Sequence, residues 1–159
     1  GVPDTNREHL GAKVRTRHET AEVSDSGADV HLVFTVWDIA GRRFYNKRQL
    51  RAYCRGAKTI LAACDLSETR SVEELGYWLS VATRILGKVT VVILARDRPA
   101  ADPLPIAEAR LAETARTFGA IVLHVPRGDR RRMEHLFHGL GAETVRDVFG
   151  LPWRPGMFA

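Results

Sequence analysis

The sequence has only two cysteines and contains no long apolar run. Cys54 and Cys64 each lie in an apolar or amphipathic stretch without the spacing of metal ligands, which is typical of small buried side chains. The six histidines form no HExxH pattern and no Cys/His cluster, so we expect no metal site. No window approaches the ~18 consecutive apolar residues of a membrane span, and the first residues have no apolar signal core. We therefore expect a cytoplasmic protein.

Acidic residues are outnumbered by basic ones. The chain has 24 basic and 19 acidic residues, hence a net charge of +5, and arginine is far more common than lysine. Arginine is densest from Arg42 to Arg55 and from Arg127 to Arg132. A basic patch attracts nucleic acid, lipid headgroups or an acidic protein surface. Because no aromatic-rich RNA motif, zinc finger or helix-turn-helix pattern accompanies this charge, we expect neither nucleic acid nor a membrane as the partner.

Two strand-like stretches come first along the chain. Residues 12–24 alternate polar and apolar residues and are rich in valine and threonine, a pattern that predicts a strand with one wet face. A turn cluster at residues 25–29 separates this stretch from a second strand over residues 30–39. Two strands joined by a short turn predict an antiparallel hairpin.

Apolar runs of strand length alternate with amphipathic helical patterns after the hairpin. Ser71 followed by Glu74 predicts a capping box at the start of the second helix, while Gly139 and Gly141 weaken the last one. The run over residues 89–95 is so apolar that both of its faces must be covered. Strands are predicted over residues 58–66, 89–95 and 120–126, and helices over residues 46–57, 71–87, 105–119 and 129–149.

This order of elements predicts the fold class. Apolar strands that alternate with amphipathic helices form a mostly parallel sheet with helices on both faces. We therefore expect an α/β fold with an N-terminal antiparallel hairpin. The length of 159 residues suits one domain, which we place at residues 1–150, followed by a loose C-terminal tail at residues 151–159.

Residues 10–149 resemble the Ras/Rab-like small GTPases. The stretch "VWDIAG", which ends at Gly41, is similar to the Trp-Asp-x-Ala-Gly motif of that family. The stretch "YCRGAKTILAACDLSETRSVEELGYWL" resembles the family's strand, aspartate and Ser-led helix that ends in tryptophan, and "VTVVILARDRPAAD" occupies the place of the guanine-recognition strand and loop. The resemblance implies a Ras-like G-domain. The nine residues before Leu10 leave no room for that domain's first strand, phosphate loop and first helix, so we expect it to lack them.

The resemblance assigns vestigial nucleotide-binding positions to Asp38 and Gly41. In the family this aspartate helps to hold Mg²⁺ through water, and the glycine amide contacts the γ-phosphate. The next position usually carries a glutamine that orients the attacking water. Here it is Arg42, whose guanidinium has no acceptor lone pair and cannot accept a hydrogen bond from that water. We therefore expect no catalytic residue in this chain.

Most of the other nucleotide-binding positions of the family are changed. No Gly-x-x-x-x-Gly-Lys-Ser/Thr run, whose amides and lysine would hold phosphates, occurs in the sequence. His9 matches the threonine of the first switch, and a neutral imidazole is a poor Mg²⁺ ligand. Residues 96–99 match the Asn-Lys-x-Asp that reads guanine, and Pro99 stands where the carboxylate would be. The supporting Ser-Ala-Lys loop matches residues 126–128, which are Pro-Arg-Gly.

Two interpretations of these changes stay open. The first is a degenerate G-domain, a pseudo-GTPase that binds a protein partner, with acidic proteins favoured, through Arg42, Arg43, Arg48 and Arg51 and uses no cofactor. The second is a Ras/Rab-like GTP-binding switch whose phosphate loop lies upstream of Gly1, and GTP and Mg²⁺ would then be its cofactors.

The strand that the resemblance predicts to be missing is central in the family's sheet, between the third and fourth strands. Either the strand that ends at Ile39 then pairs directly with the strand that contains Leu61, or an open slot exposes strand edges. An open slot invites a partner strand or self-association, so a homo-oligomer is a further expectation.

Overall fold

A computed structural model describes residues 12–23, 28–39, 47–96, 105–126 and 128–150 of the chain. The predicted tail, residues 151–159, lies outside this part. In chain order the described elements are β1 (Ala12–Val23), β2 (Ala28–Ile39), α1 (Lys47–Cys54), β3 (Thr59–Asp65), α2 (Thr69–Leu86), β4 (Thr90–Arg96), α3 (Pro105–Phe118), β5 (Ile121–His124) and α4 (Arg130–Phe149).

The described elements fall into two compact units. The first contains β1, β2 and α4, and the second contains the other strands and helices. β1 pairs with β2 in an antiparallel sheet, and a separate parallel sheet has the order β3–β4–β5. The predicted α/β class, the hairpin and the parallel strands are thus confirmed. Among the described strands, direct pairing of the Ile39 strand with the Leu61 strand does not occur, because the two belong to different sheets.

The strands of the hairpin pair over their full length. The register runs from Ala12 opposite Ile39 to Val23 opposite Ala28. Antiparallel neighbours need no crossover connection, which is why two consecutive stretches of the sequence can fold on each other. The predicted strand bounds are correct to within two residues at each end.

Helix α4 packs against one face of the hairpin. The Val145 side chain is buried against Val30 and Leu32. Phe137 meets Phe34 edge-on, with 5.8 Å between the ring centroids. Val30, Leu32 and Phe34 share this face because alternate side chains of a strand point to the same side.

The glycines of α4 do not interrupt the helix, which runs unbroken through Gly139 and Gly141. A Cβ atom on Gly141 would lie 3.2 Å from Cδ1 of Leu32, closer than ordinary van der Waals contact. Glycine therefore lowers the helix propensity here but lets α4 approach the hairpin. Asp129, predicted as the first helical residue, is instead the N-cap, and its carboxylate accepts a hydrogen bond from the Arg132 amide at 3.0 Å.

β4 is the central strand of the parallel sheet and is covered on both faces. The consecutive residues Val91, Val92 and Ile93 are each at most 3% exposed, which confirms the prediction from their apolar run. Val91 and Ile93 face the side of the sheet on which α2 and α3 pack. The buried core on that side consists of Cys64, Leu66, Val72, Leu75, Leu79, Val91, Ile93, Ala95, Ala107 and Leu111.

Helix α2 begins at Thr69, two residues before the predicted start, so the predicted capping box is wrong. Glu68 is the N-cap residue and makes no side-chain cap hydrogen bond. The Ser71 hydroxyl accepts a hydrogen bond from the backbone N–H of Asp65 at 2.9 Å, and Glu74 accepts one from Nε of Arg70 at 3.1 Å. Ser71 therefore ties the helix to the end of β3 instead of capping it.

Candidate functional site

Asp38, a predicted vestigial nucleotide-binding residue, is the second-last residue of β2. Its side chain is exposed, and it lies directly opposite Lys13 in the hairpin register. Opposite charges across an antiparallel pair stabilise that pairing, so an aspartate is favoured here without any phosphate. Gly41, the other predicted residue of this kind, lies outside the described residues.

The carboxyl ends of β3 and β4 form the edge at which open α/β sheets bind ligands. At the end of β3, the Asp65 carboxylate accepts hydrogen bonds from the Ser67 amide at 2.9 Å and from the Ser67 hydroxyl. These bonds fix the turn that leads from β3 into α2. Arg96 ends β4 with an exposed side chain, and the rest of the predicted guanine-reading loop, residues 97–99, lies outside the described part of the chain.

Two of the four predicted partner-binding arginines can be placed. Arg48 and Arg51 lie on α1 with exposed side chains, whereas Arg42 and Arg43 lie outside the described residues. Arg55 follows one turn after Arg51, and its amide donates a hydrogen bond to the Arg51 carbonyl at 3.1 Å. Positions three, four and seven apart lie on one side of a helix, so Arg48, Arg51 and Arg55 form one basic strip.

A groove of about 510 Å³ adjoins the C-terminal end of this strip. It is lined from three places in the sequence: the end of α1, the connection from α1 to β3, and the last turn of α2. We call it the basic groove, and its charged and apolar lining residues are Arg51, Arg55, Lys58, Arg84, Ile85 and Leu86.

The basic groove exists because two helices end beside it. α1 ends at Cys54, whose carbonyl accepts a hydrogen bond from the Ala57 amide at 3.0 Å. Gly56 has a φ of 77°, a conformation that favours glycine and lets the chain leave the helix towards β3. α2 ends at Leu86, before Gly87, which has a φ of 73°. The predicted helices end at residues 57 and 87, within three residues of the observed ends at Cys54 and Leu86.

Among the described residues, no acidic side chain forms an ion pair that balances the charge of the basic groove. Within the described residues, none of its three arginines and its one lysine forms an ion pair. Elsewhere in the same unit Arg110 pairs with Glu73 at 2.7 Å and Arg70 pairs with Glu74 at 3.1 Å. A helix C-terminus carries about half a negative charge, so two helix ends offset about one of the four positive charges. The basic groove is therefore suited to an anionic ligand.

Cys54 adjoins the basic groove and is not activated by it. Burial raises the pKa of the Cys54 thiol above its ordinary value. The cause of this shift is desolvation, which disfavours the charged thiolate. The thiol is protonated at neutral pH and does not supply a nucleophile to the groove.

The described residues contain no group of three or more histidine, cysteine, aspartate or glutamate side chains arranged to hold a metal ion. None of the described helices combines the length and the apolar character needed to cross a membrane.

Two cations of the basic groove were missed by sequence reasoning. Lys58 and Arg84 lie in different elements, and Arg84 reaches the groove because α2 packs beside α1. A lone basic residue in the last turn of a helix is common, since it interacts favourably with the helix dipole, so the position of Arg84 does not indicate a second role. The high density of arginine from Arg42 to Arg55 indicated only the α1 side of the groove, which Arg51 and Arg55 line.

The order of elements and the Trp-Asp-x-Ala-Gly motif at the end of the hairpin define the class of the protein, which is a Ras-like, GTPase-related α/β domain. The family model described as "Ras of Complex, Roc, domain of DAPkinase" matches residues 2–98, more than half of the chain. The chain therefore belongs to the Roc family. A comparison with curated proteins found no match.

Proposed function

We propose that this Roc-family domain is a pseudo-GTPase, which acts as a protein-binding module in signalling or scaffolding and does not hydrolyse GTP. The observation that carries the proposal is the basic groove, where four cations gather without an acidic partner among the described residues. Unpaired positive charge around a groove favours association with an acidic protein surface. We assign this contact to the α1 side of the domain, with Arg48 and Arg51 as its first residues and Arg42 and Arg43 as further candidates.

The lost chemistry of the nucleotide site supports the first half of the proposal. The sequence has no phosphate-loop motif, and Arg42 replaces the glutamine that orients water in related GTPases. Leaving one buried polar group of a ligand without its partner costs about 1–3 kcal/mol. Without the amides and lysine of a phosphate loop and without the guanine-reading carboxylate, residues 1–159 alone are therefore expected to bind GTP only weakly, even if the effects are not additive.

The face of the hairpin opposite α4 supports the proposed protein binding. Val14, Val33 and Trp37 alternate onto one face of β1 and β2 and are 52%, 55% and 45% exposed. Val14 and Trp37 are directly opposite each other in the register. Exposed apolar side chains that share a face favour contact with another protein more than they favour solvent.

The test of the proposal is to measure nucleotide binding and hydrolysis by the purified chain. GTP, GDP and ATP are each titrated with Mg²⁺, and phosphate release from GTP is followed with a Ras-like GTPase as the positive control. We expect no saturable binding at micromolar concentration and no release above the buffer rate. Hydrolysis that depends on added chain and on Mg²⁺ would contradict the proposal.

A GTP-binding switch is the second candidate function. The surviving Asp-x-x-Gly, residues 38–41, and the Roc family match favour it. It requires a phosphate loop encoded upstream of Gly1, so the reading frame there decides between the two functions. A Gly-x-x-x-x-Gly-Lys-Ser/Thr motif in that frame, together with GTP binding by the longer chain, would establish the switch.

Self-association is part of the same proposal. Among the described strands, β3 is hydrogen-bonded to β4 alone, so its other edge can accept a strand. Light scattering on the purified chain measures this directly. A mass that stays at 17.7 kDa at every concentration would reject self-association without affecting the other parts of the proposal.

A further inference from the structure

We propose that the basic groove binds an acidic peptide segment in which glutamate or aspartate side chains flank an apolar residue. This inference rests on the proposed protein-binding function, because it names the partner chemistry that the same surface recognises.

The first step of the argument is the distribution of charge around the groove. Arg51 and Arg55 approach from the end of α1, Arg84 from the end of α2, and Lys58 from the connection to β3. The cations therefore lie on separate elements and do not form a single point of charge. A ligand that carries several separated anions can meet more of them at once than a compact anion can.

The second step is the apolar part of the lining. Ile85 and Leu86 are half-buried and line the same groove as the four cations. A purely charged ligand would leave these side chains in contact with water. An apolar ligand residue between the carboxylates would remove them from water, which is the usual arrangement of an apolar centre inside a polar rim.

The third step separates carboxylates from phosphates. Phosphate sites in proteins use free backbone amides, most often at helix N-termini. Here two helix C-termini meet, and the amides of Arg55 and Ala57 already donate to the carbonyls of Arg51 and Cys54. Long, flexible side chains are therefore the main donors, and they suit carboxylates spread along a peptide.

The fourth step separates a peptide from nucleic acid. Single-stranded nucleic acid binds where aromatic side chains stack on the bases beside a positive groove. The residues that the structure describes in the lining of the basic groove include no aromatic side chain. Its volume of about 510 Å³ lies within the ~300–1,000 Å³ range of clefts that bind small ligands, which suits a few peptide residues.

Binding is expected to be weak and strongly dependent on salt. Arg51, Arg55, Lys58 and Arg84 are all exposed, and exposed ion pairs are each weak and screened by salt. Between about 0.1 M and about 1 M ionic strength the Debye length falls from about 10 Å to about 3 Å. The affinity should therefore fall by about tenfold or more over this range.

In the experiment, the full chain is titrated with a short peptide of glutamates around one central leucine. Calorimetry measures the affinity, and amide chemical shifts locate the binding site. Three further probes are the same peptide with serine in place of leucine, inorganic phosphate, and an oligothymidylate. The test variant is R55E/K58E, and the matched control is R116E/R131E, which changes the net charge equally at two exposed arginines outside the groove. Both variants are first checked for unchanged melting temperature, and R84Q replaces the test variant if R55E/K58E does not fold.

The expected result is saturable binding of the leucine peptide, with shifts centred on residues 51–58 and 84–86. The serine peptide should bind about threefold or more weakly, R55E/K58E should lose about tenfold or more, and R116E/R131E should change affinity less than about twofold. Equal loss in both variants would mean non-specific attraction to a basic chain and would overturn the inference. Tighter binding of phosphate or oligothymidylate than of the peptide would overturn it as well.

Failure here is distinguishable from failure of the proposed function. If the peptide does not bind and GTP does not bind either, the acidic-segment inference falls while the pseudo-GTPase proposal stands. If GTP binds and is hydrolysed, the proposed function falls, and the peptide titration still reports on the groove by itself.

Discussion

A Cβ atom on Gly141 would lie 3.2 Å from Cδ1 of Leu32. Helix α4 thus lies so close to β2 that a residue larger than glycine fits at position 141 only if the Leu32 side chain moves. The same helix contacts the hairpin through Phe137 and Val145, so this close approach helps the first unit bury its small apolar face.

We predict that Gly141 does not tolerate a large side chain. Overpacking a close contact costs about 1–3 kcal/mol, so G141L should lower the free energy of unfolding by about that amount. The control is Gly76 in α2, where an added Cβ meets no atom within 4 Å. G76A should raise the stability by about 0.5–1 kcal/mol through helix propensity, and G141A should raise it by less. Urea unfolding of the three variants measures this, and a stabilised G141L would refute the close approach.

A second prediction concerns Arg17, whose guanidinium carbon lies 4.4 Å from the centroid of the Phe137 ring. Nε of Arg17 also donates to the Glu19 carboxylate at 2.6 Å. R17M keeps the aliphatic stem but removes both interactions, so it should lower the free energy of unfolding by about 0.5–1 kcal/mol. In a double-mutant cycle, R17M and F137L together should destabilise the protein by less than the sum of the two single changes. Strictly additive effects would mean that the stacking contributes nothing.

A third prediction concerns the turn between β3 and α2. D65A removes the acceptor for the Ser67 amide and hydroxyl and should cost about 1–2 kcal/mol, while D65N, which keeps an acceptor oxygen, should cost less. S71A leaves the Asp65 amide without the Ser71 hydroxyl and should cost about 1 kcal/mol. T117A, which removes an exposed hydroxyl bond inside α3, is the control and should stay within about 0.5 kcal/mol of the parent. Thermal unfolding measures the ranking of these stability losses. If D65A leaves the stability unchanged, the turn does not depend on this carboxylate.

A fourth prediction concerns Cys54. Since burial raises the pKa of its thiol, the protonated form is the one favoured by the folded state. This contribution to stability is complete below the ordinary thiol pKa and is lost as the pH rises through the higher pKa of the folded protein. Alkylation by iodoacetamide, read at Cys54 by peptide mass spectrometry, should therefore reach half of its maximal rate at a higher pH than for N-acetylcysteine. A midpoint below that of N-acetylcysteine would mean that the neighbouring arginines outweigh desolvation.

The elements of the fold could be predicted because their signals are local. Alternation identified the hairpin, and the unbroken apolar run through Val92 identified a strand covered on both faces. The predicted helices over residues 46–57 and 105–119 end within three residues of the observed ends of α1 and α3. Each signal depends on residues that are close in sequence, and no distant contact competes with it.

The features that the sequence did not reveal depend on contacts between residues on different elements. Ser71 has the spacing of a capping residue, but its hydroxyl accepts from the Asp65 amide, and the helix begins earlier. The close approach of Gly141 to Leu32 could not be predicted, because Leu32 lies on another element far away in the sequence. The basic groove could not be read from the sequence for the same reason, since Arg84 joins Arg55 and Lys58 only after α2 has packed.

Calorimetric titration of GTP, with Mg²⁺, into this chain tests most directly whether a Ras-like fold persists here without its nucleotide. The pseudo-GTPase account predicts no saturable heat of binding at micromolar concentration for GTP or GDP. A dissociation constant of about 1 μM, which corresponds to about −8.2 kcal/mol of binding free energy, would contradict it.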